Sequence, residues 1–308
     1  MHQNQNGQLH LPVLLESVLT VLAPKKGEAY LDLTAGYGGH AAAILSRTLA
    51  PTKALLVDRD QVAVNALKYR FENEGVKIVK SDFLIASEML LAQTSQYDLI
   101  LVDLGVSSMH LNTASRGFSF NLNGPLDMRM DQSQQLTAET IVNTFSEAKL
   151  AGLIKRYGED PKAARIANLI IHNRPITNTR SLAQIVAKAW PGHYKVHPAT
   201  RTFQALRIAV NDELELLRLS LPTWVSLLRP GGRIAVISFH SLEDRLVKRF
   251  FQDCAGDTYD AELQLITKHP ITGDQNEIAF NPRARSAKLR AAAKIKNNGK
   301  GSAHAYSG

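Results

Sequence analysis

Four short runs rich in Val, Ile and Leu punctuate the first hundred residues, at positions 29–35, 53–58, 77–80 and 99–104. Between them, apolar residues recur every three or four positions, which predicts helices over 40–49, 61–72 and 84–93. Strands that read as near-continuous apolar runs are buried on both faces, and their alternation with helices predicts a parallel sheet in an α/β fold. The alternation then stops. From residue 108 to about 200 no stretch reads as a buried strand, and helical periodicity takes over. Asp160-Pro161 reads as a helix cap followed by proline at the first helical position, opening a helix over 163–173. A second helix is predicted over 181–190, stopped by Pro191-Gly192.

The first grammar returns afterwards. A long helix is predicted over 203–228, broken by Arg229-Pro230-Gly231-Gly232, and a strand over 233–239. Ser241-Leu242-Glu243-Asp244 has capping-box form and predicts a helix through Phe251. A closing strand pair is predicted over 262–267 and 287–291, and the polar tail from Lys296 is expected to be disordered. The expected organisation is a discontinuous α/β domain, 1–107 with 208–308, interrupted by an inserted helical domain, 108–207.

Composition narrows the setting. The 308 residues include one cysteine, Cys254, which excludes a disulfide framework and a cysteine zinc site. The polar start MHQNQNGQLH lacks a signal-peptide core, and no stretch approaches 18 apolar residues, so a cytoplasmic protein without a membrane span is expected. Net charge is +8, but its distribution matters more. Residues 151–207 hold ten Lys or Arg against two acids, and 283–300 hold seven against none, so the remainder is acidic. Two basic segments on an otherwise acidic chain favour a polyanionic partner over a merely solvated surface.

The first predicted strand ends in DLTAGYGGH, 32–40. Gly36-x-Gly38-x-x-Ala41, with Asp58 22 residues after Gly36, fits the loose dinucleotide fingerprint, in which an acid binds a ribose hydroxyl. Asp32 separates two adenosyl cofactors. A dinucleotide sets a pyrophosphate dianion over this turn, and a neighbouring carboxylate repels it. S-adenosylmethionine brings an ammonium and a sulfonium, which Asp32 attracts. No Walker pattern is present. The fourth strand ends in DLGVSS, 103–108, which sets Asp103 at the same edge of the sheet as Asp32 and Asp58.

These turns, with HLPVLL at 10–15, RGFSF at 116–120, GPLDMRMD at 124–131, HPATRTFQALRIAVNDEL at 197–214, GGRIAVISFHSLEDRLVK at 231–248 and NPRARSAKLR at 281–290, resemble the RsmH (MraW) family of bacterial 16S rRNA cytosine-N4 methyltransferases. The matches run in order over nearly the whole chain. The resemblance implies a Rossmann-like S-adenosylmethionine-dependent methyltransferase fold with an inserted helical substrate domain. It also implies methylation of the exocyclic amine of a cytidine in the decoding centre of 16S rRNA, within the small ribosomal subunit. By position it places cofactor contacts on Gly38, Gly39, His40, Asp58, Phe83, Asp103 and His110; the last is commonly glutamine in the family.

The chemistry needs acceptors for the amine hydrogens. Asp103, or carbonyls of its turn, which includes Ser107, are candidates, and His240 and Ser241 border the same crevice. A helix-capping role competes for the last two. Phe118 and Phe120 are candidates to stack on an extruded base, with core packing as the competing reading. Lys155, Arg156, Lys162, Arg165, Arg180 and Arg201 are candidates for phosphate contacts. His193 and His197 lie four apart but lack a third ligand, so no metal is expected. Two other readings stay open at this point: a nicotinamide-dependent oxidoreductase using the same turn, and a non-catalytic RNA-binding assembly factor.

Overall fold

The computed structural model describes residues 12–256 and 261–295. His10 and the tail from Lys296 lie outside them. The chain divides into two compact units, Met1–Gly105 with Leu216–Gly308, and Val106–Glu215.

In chain order the first stretch holds α1 (Leu15–Leu22), β1 (Tyr30–Asp32), α2 (Gly39–Thr48), β2 (Ala54–Asp58), α3 (Gln61–Arg70), β3 (Lys77–Lys80), α4 (Phe83–Ala92) and β4 (Tyr97–Asp103). The second unit holds α5 (Ser108–Asn112), α6 (Ala138–Thr144), α7 (Glu147–Gly158), α8 (Ala163–His172), α9 (Thr179–Ala187) and α10 (Ala199–Asn211). There follow α11 (Glu213–Leu227), β5 (Leu228–Ser238), α12 (Ser241–Cys254), β6 (Leu263–Leu265), α13 (Gln275–Phe280) and β7 (Lys288–Lys294).

The strands of the first unit form one sheet in the order β3-β2-β1-β4-β5-β7-β6. The first five run parallel, and β7 is antiparallel to both neighbours. Side chains alternate between faces along each strand. Leu31, Val57, Ile100, Val102, Ile234 and Val236 point to one side, where Trp224 of α11 and Val247 of α12 cover them. Tyr30, Leu56, Leu99, Leu101, Ala235 and Ile237 point to the other, under Val18 and Leu22 of α1 and Ile44 of α2. This is the Rossmann-like α/β sheet, buried on both faces, that the apolar runs imply. From β1 the order runs one way to β2 and the other way to β4, so a crevice opens beyond the carboxyl ends of β1 and β4. The second unit is helical and closes on its own core, in which Leu150, Ile154, Ile166, Ile170, Leu182, Val186, Phe203 and Leu206 meet. No helix of the described residues is long and apolar enough to cross a membrane.

Four local expectations are corrected. The predicted helix over 203–228 is two helices, α10 and α11, because Asp212 turns left-handed at φ 51°. Asp tolerates that conformation better than most residues, and no Gly or Pro marks the break. The chain is already extended at Arg229-Pro230-Gly231-Gly232, since β5 begins at Leu228. The cap of α12 is His240, one residue before the predicted one: its side chain accepts from the Glu243 N–H, and Glu243 returns the bond to the His240 N–H. Asp160 does not cap α8; its carboxylate accepts from the Lys162 N–H at 2.9 Å in the turn before the helix, which begins at Ala163.

Candidate active site

Beyond β1 the backbone is held by its neighbours. The Leu33 N–H bonds the Leu101 carbonyl at 3.1 Å, and the Ala35 N–H bonds the Val57 carbonyl at 2.9 Å. Gly36 then donates its N–H to Asp58 Oδ2 at 2.8 Å. The other Asp58 oxygen accepts from the Asp60 N–H at 2.8 Å. The expected ribose acid therefore also pins the glycine turn. A carboxylate has about four acceptor positions, so both duties fit on one side chain. Gly38, at φ 75°, caps α2; a Cβ there would lie 2.7 Å from the Phe71 ring. A Cβ on Gly39 would lie 2.6 Å from Pro12. The glycines thus serve backbone conformation at Gly38 and close packing at both.

Asp32 lies directly beneath this turn and is 1% exposed. Its oxygens accept from the Tyr30 hydroxyl at 2.6 Å and the Thr34 N–H at 3.2 Å. Burial pushes its carboxyl up to about 7, with those two bonds opposing and Asp103 and Asp58 adding. Thr34 in turn takes the Asp103 N–H on its hydroxyl at 2.6 Å, which ties the end of β1 to the end of β4.

Asp103 has the same shifted carboxyl for a different arrangement. Burial raises it to about 7, the Arg283 charge opposes the rise, and Glu243 adds to it. Its Oδ1 is buried with no hydrogen-bond partner among the described residues. Its Oδ2 stands 3.8 Å from His40 Nε2, beyond hydrogen-bond length. His40 opens α2 and is buried; burial, then the Arg283 charge, push its imidazole down to about 4, so the ring is neutral at pH 7. Sequence reasoning did not single out Arg283. It lies in NPRAR, and its guanidinium sits 5.2 Å from the Phe239 ring centre, just past β5. A +1 charge within a run of Arg and Lys carries no local signal that it faces an active-site carboxylate.

The remaining candidates sort by contact. Phe83, half-buried at the start of α4, meets Trp224 edge-on at 5.6 Å. His240 and Glu243 form the reciprocal cap of α12, and His240 Nε2 lies 3.1 Å from Glu243 Oε1, so His240 is held by its own helix. Ser241 is the first residue of α12.

Within the second unit, Ser107 and His110 form another reciprocal cap: the His110 N–H donates to Ser107 Oγ at 3.2 Å, and the Ser107 N–H donates to His110 Nδ1 at 3.2 Å. Phe118 is a correction: it is buried in the core of this unit, 5.0 Å from the His110 ring, and offers no face to an incoming base. Phe120 is half-buried between His197, at 4.7 Å, and Phe203, at 5.1 Å. Lys162 is half-buried: its ammonium donates to the Ala189 carbonyl at 3.0 Å and lies 4.0 Å over the Trp190 ring. Lys155, Arg156, Arg165, Arg180 and Arg201 are exposed, although Arg156 leans on Tyr157 and Arg201 reaches the Glu159 carbonyl. The basic tail is also thinner than its count implies. Lys288 and Arg290 both bond Asp244, and the Lys294 ammonium is buried against the Val225 carbonyl.

Two carboxyls raised to about 7 in one crevice, one with a buried orphan oxygen, suit a cationic guest and disfavour a phosphate. That fits S-adenosylmethionine and fits a dinucleotide poorly. Comparison with known proteins agrees. The family model of the MraW methylase family matches residues 7–295. A ribosomal RNA small subunit methyltransferase H from Trichormus variabilis is 48% identical, over 92% of this chain and 92% of its own. The proteins of that name from Nostoc and Heliobacterium mobile are 46% and 43% identical, over 94% and 93% of this chain and 94% and 99% of their own. With the match spanning both the sheet and the helical unit, this chain belongs to the MraW methylase family.

Proposed function

We propose that this protein transfers a methyl group from S-adenosylmethionine to the exocyclic N4 amine of a cytidine in the decoding centre of 16S rRNA. The observation that carries the chemistry is the orphan Oδ1 of Asp103 at the end of β4. Family membership supports the cofactor and the rRNA substrate, and the relatives' name supports the small-subunit context. The oxidoreductase and non-catalytic readings have no support from either.

The cofactor supplies an electrophilic methyl on a sulfonium. Gly36, where a Cβ would crowd no neighbouring atom, lets the backbone approach the guest, Gly38 and Gly39 hold the turn in shape, and Asp58 accepts from the ribose while still holding Gly36. Asp32 acts from beneath, as a positioning residue that sets Thr34 and lends negative charge. His40 is neutral, so it adds no repulsion toward a cation. The cytosine amine is a poor nucleophile because its lone pair is delocalised into the ring. Asp103 accepts a hydrogen from that amine, which localises the lone pair. A methylated amine would be acidic, and the Asp103 carboxylate, with a pKa of about 7, would take its proton and pass it to water. Holding the nitrogen about 3–3.5 Å from the methyl supplies roughly 7–11 kcal/mol of barrier lowering. The helical unit provides RNA affinity through Lys155, Arg156, Arg165, Arg180 and Arg201, which position the substrate without reading its sequence.

The test is labelled-methyl transfer to small subunits from cells lacking this gene, and separately to naked rRNA, followed by mapping of the modified base. Methyl on a cytidine N4 is the expected result. Transfer elsewhere, or stabilisation of the protein by NAD and not by S-adenosylmethionine, overturns the reading.

A further inference from the structure

Phe280, at the end of α13, is 85% exposed, more than any other large apolar side chain among the described residues. A single exposed phenylalanine needs no explanation by itself. This one stands on a pinned scaffold. Asp274 caps α13, Glu277 accepts the Leu14 N–H, and Ile278 packs against the core, so Glu277 and Ile278 anchor this helix. Just behind it, the Ile271 and Leu289 backbones exchange hydrogen bonds. The chain then runs directly through Asn281 and Pro282 to Arg283, whose guanidinium lies over Phe239 and whose charge reaches His40 and Asp103. Arg285, two residues on, is exposed. An outward aromatic is therefore held three residues before a cation at the crevice, with a second, exposed cation five residues on in the chain.

We infer that Phe280, flanked by Arg283 and Arg285, is a stacking platform for an unpaired RNA base next to the target cytidine. This rests on the function proposed above. A nucleobase offers a π-face to the ring whatever its sequence, and the exposed Arg285 suits a flanking phosphate. Extruding the target cytidine unstacks its neighbour, and an aromatic on a rigid support restores that lost stacking. A protein partner would need apolar bulk at this position, whereas a base needs an aromatic plane.

The experiment measures methyl transfer to small subunits from cells lacking this gene, for wild type and for Phe280→Ala, Phe280→Leu and Phe280→Trp, with S-adenosylmethionine affinity and thermal midpoint measured alongside. Phe280→Ala and Phe280→Leu are expected to raise the KM for subunits about tenfold, and Phe280→Trp to keep the wild-type value. Cofactor affinity and thermal midpoint should not move in any variant. A KM for Phe280→Ala within twofold of wild type overturns the proposal. So does full recovery with leucine, which would mark an apolar protein contact, and so does a fall in thermal midpoint, which would mark a structural role. If wild type itself transfers no methyl to subunits, the proposed function fails first. If wild type is active and Phe280→Ala matches it, only the platform fails.

Discussion

In the sheet-bearing unit Asp32, His40 and Glu243 are withdrawn from water, and Asp103 keeps one oxygen buried. In the helical unit Lys155, Arg156, Arg165, Arg180 and Arg201 stand in solvent. The same kind of side chain thus obeys different physics in the two places. A buried carboxylate is costly when ionised, so Asp32 and Asp103, raised to about 7, share their protons with water near neutral pH and ionise fully when a cation arrives. An exposed arginine is always charged, is screened by salt, and attracts phosphate from a distance. Cofactor binding should therefore answer to pH and hardly to salt, and RNA binding to salt and hardly to pH.

The sharpest test lies within the buried set. Asp32 and Asp103 are both raised to about 7, yet Asp32 has a partner on each oxygen and Asp103 leaves Oδ1 open. Asp103→Asn should lower methyl transfer by roughly 10²- to 10⁴-fold, the range for loss of a positioned proton acceptor, while the protein stays folded. A loss of less than tenfold would move the chemistry away from Asp103.

Asp32→Asn should act on binding and stability. Its loss of charge beneath the turn should weaken S-adenosylmethionine about a hundredfold, read by calorimetry. Stability of the free protein should move the other way. A carboxyl raised from 3.8 to about 7 favours the folded state most below pH 4, and that contribution is lost as pH rises through 7. The Asn variant has no such loss, so its thermal midpoint should gain on wild type between pH 5 and pH 8. About 2–4 °C per kcal/mol is the scale for a domain of this size.

For wild type, a cation favours the ionised carboxyls of Asp32 and Asp103. Affinity for S-adenosylmethionine should rise about tenfold from pH 6 to pH 8 and level off above, with proton release visible as a buffer-dependent binding enthalpy. Raising salt from 50 to 200 mM should leave it within about twofold. A steep salt dependence would mean that the crevice is wetter than the burial of Asp32 implies.

Much of this was legible in the sequence because strands buried on both faces must be apolar, and because ligand turns follow such strands. The turn at 32–40 and the acids Asp58 and Asp103 fall where the periodicity puts them. What escaped was decided by tertiary contact. The break at Asp212 is one residue's left-handed backbone with no Gly or Pro to mark it. The cap of α12 falls on His240 because Glu243, not Asp244, reaches back; Asp244 is held instead by Lys288 and Arg290 of β7. Phe118 and Lys162 have the residue types of RNA contacts, but composition says nothing about the Ala189 carbonyl or the core that claims them. Arg283 is the opposite case: a residue counted among a basic tail proves to face the carboxylate and imidazole of the crevice.

The smallest effects should come from the helical unit, and they separate its exposed cations from the engaged one. Arg165→Ala and Arg180→Ala remove exposed charges, so each should raise the KM for small subunits only a few-fold. Each should also reduce the slope of log affinity against log salt by roughly 0.7–0.9, the loss of one phosphate contact. Lys162→Met keeps the length of the side chain but loses the bond to the Ala189 carbonyl and the charge over Trp190. It should lower the thermal midpoint by a few degrees and leave the salt slope alone, because a cation already committed inside the unit releases no counterion when RNA binds. A slope that falls for Lys162→Met as much as for Arg180→Ala would show that engagement within the fold does not withdraw a lysine from RNA, and the division between engaged and exposed cations would fail there.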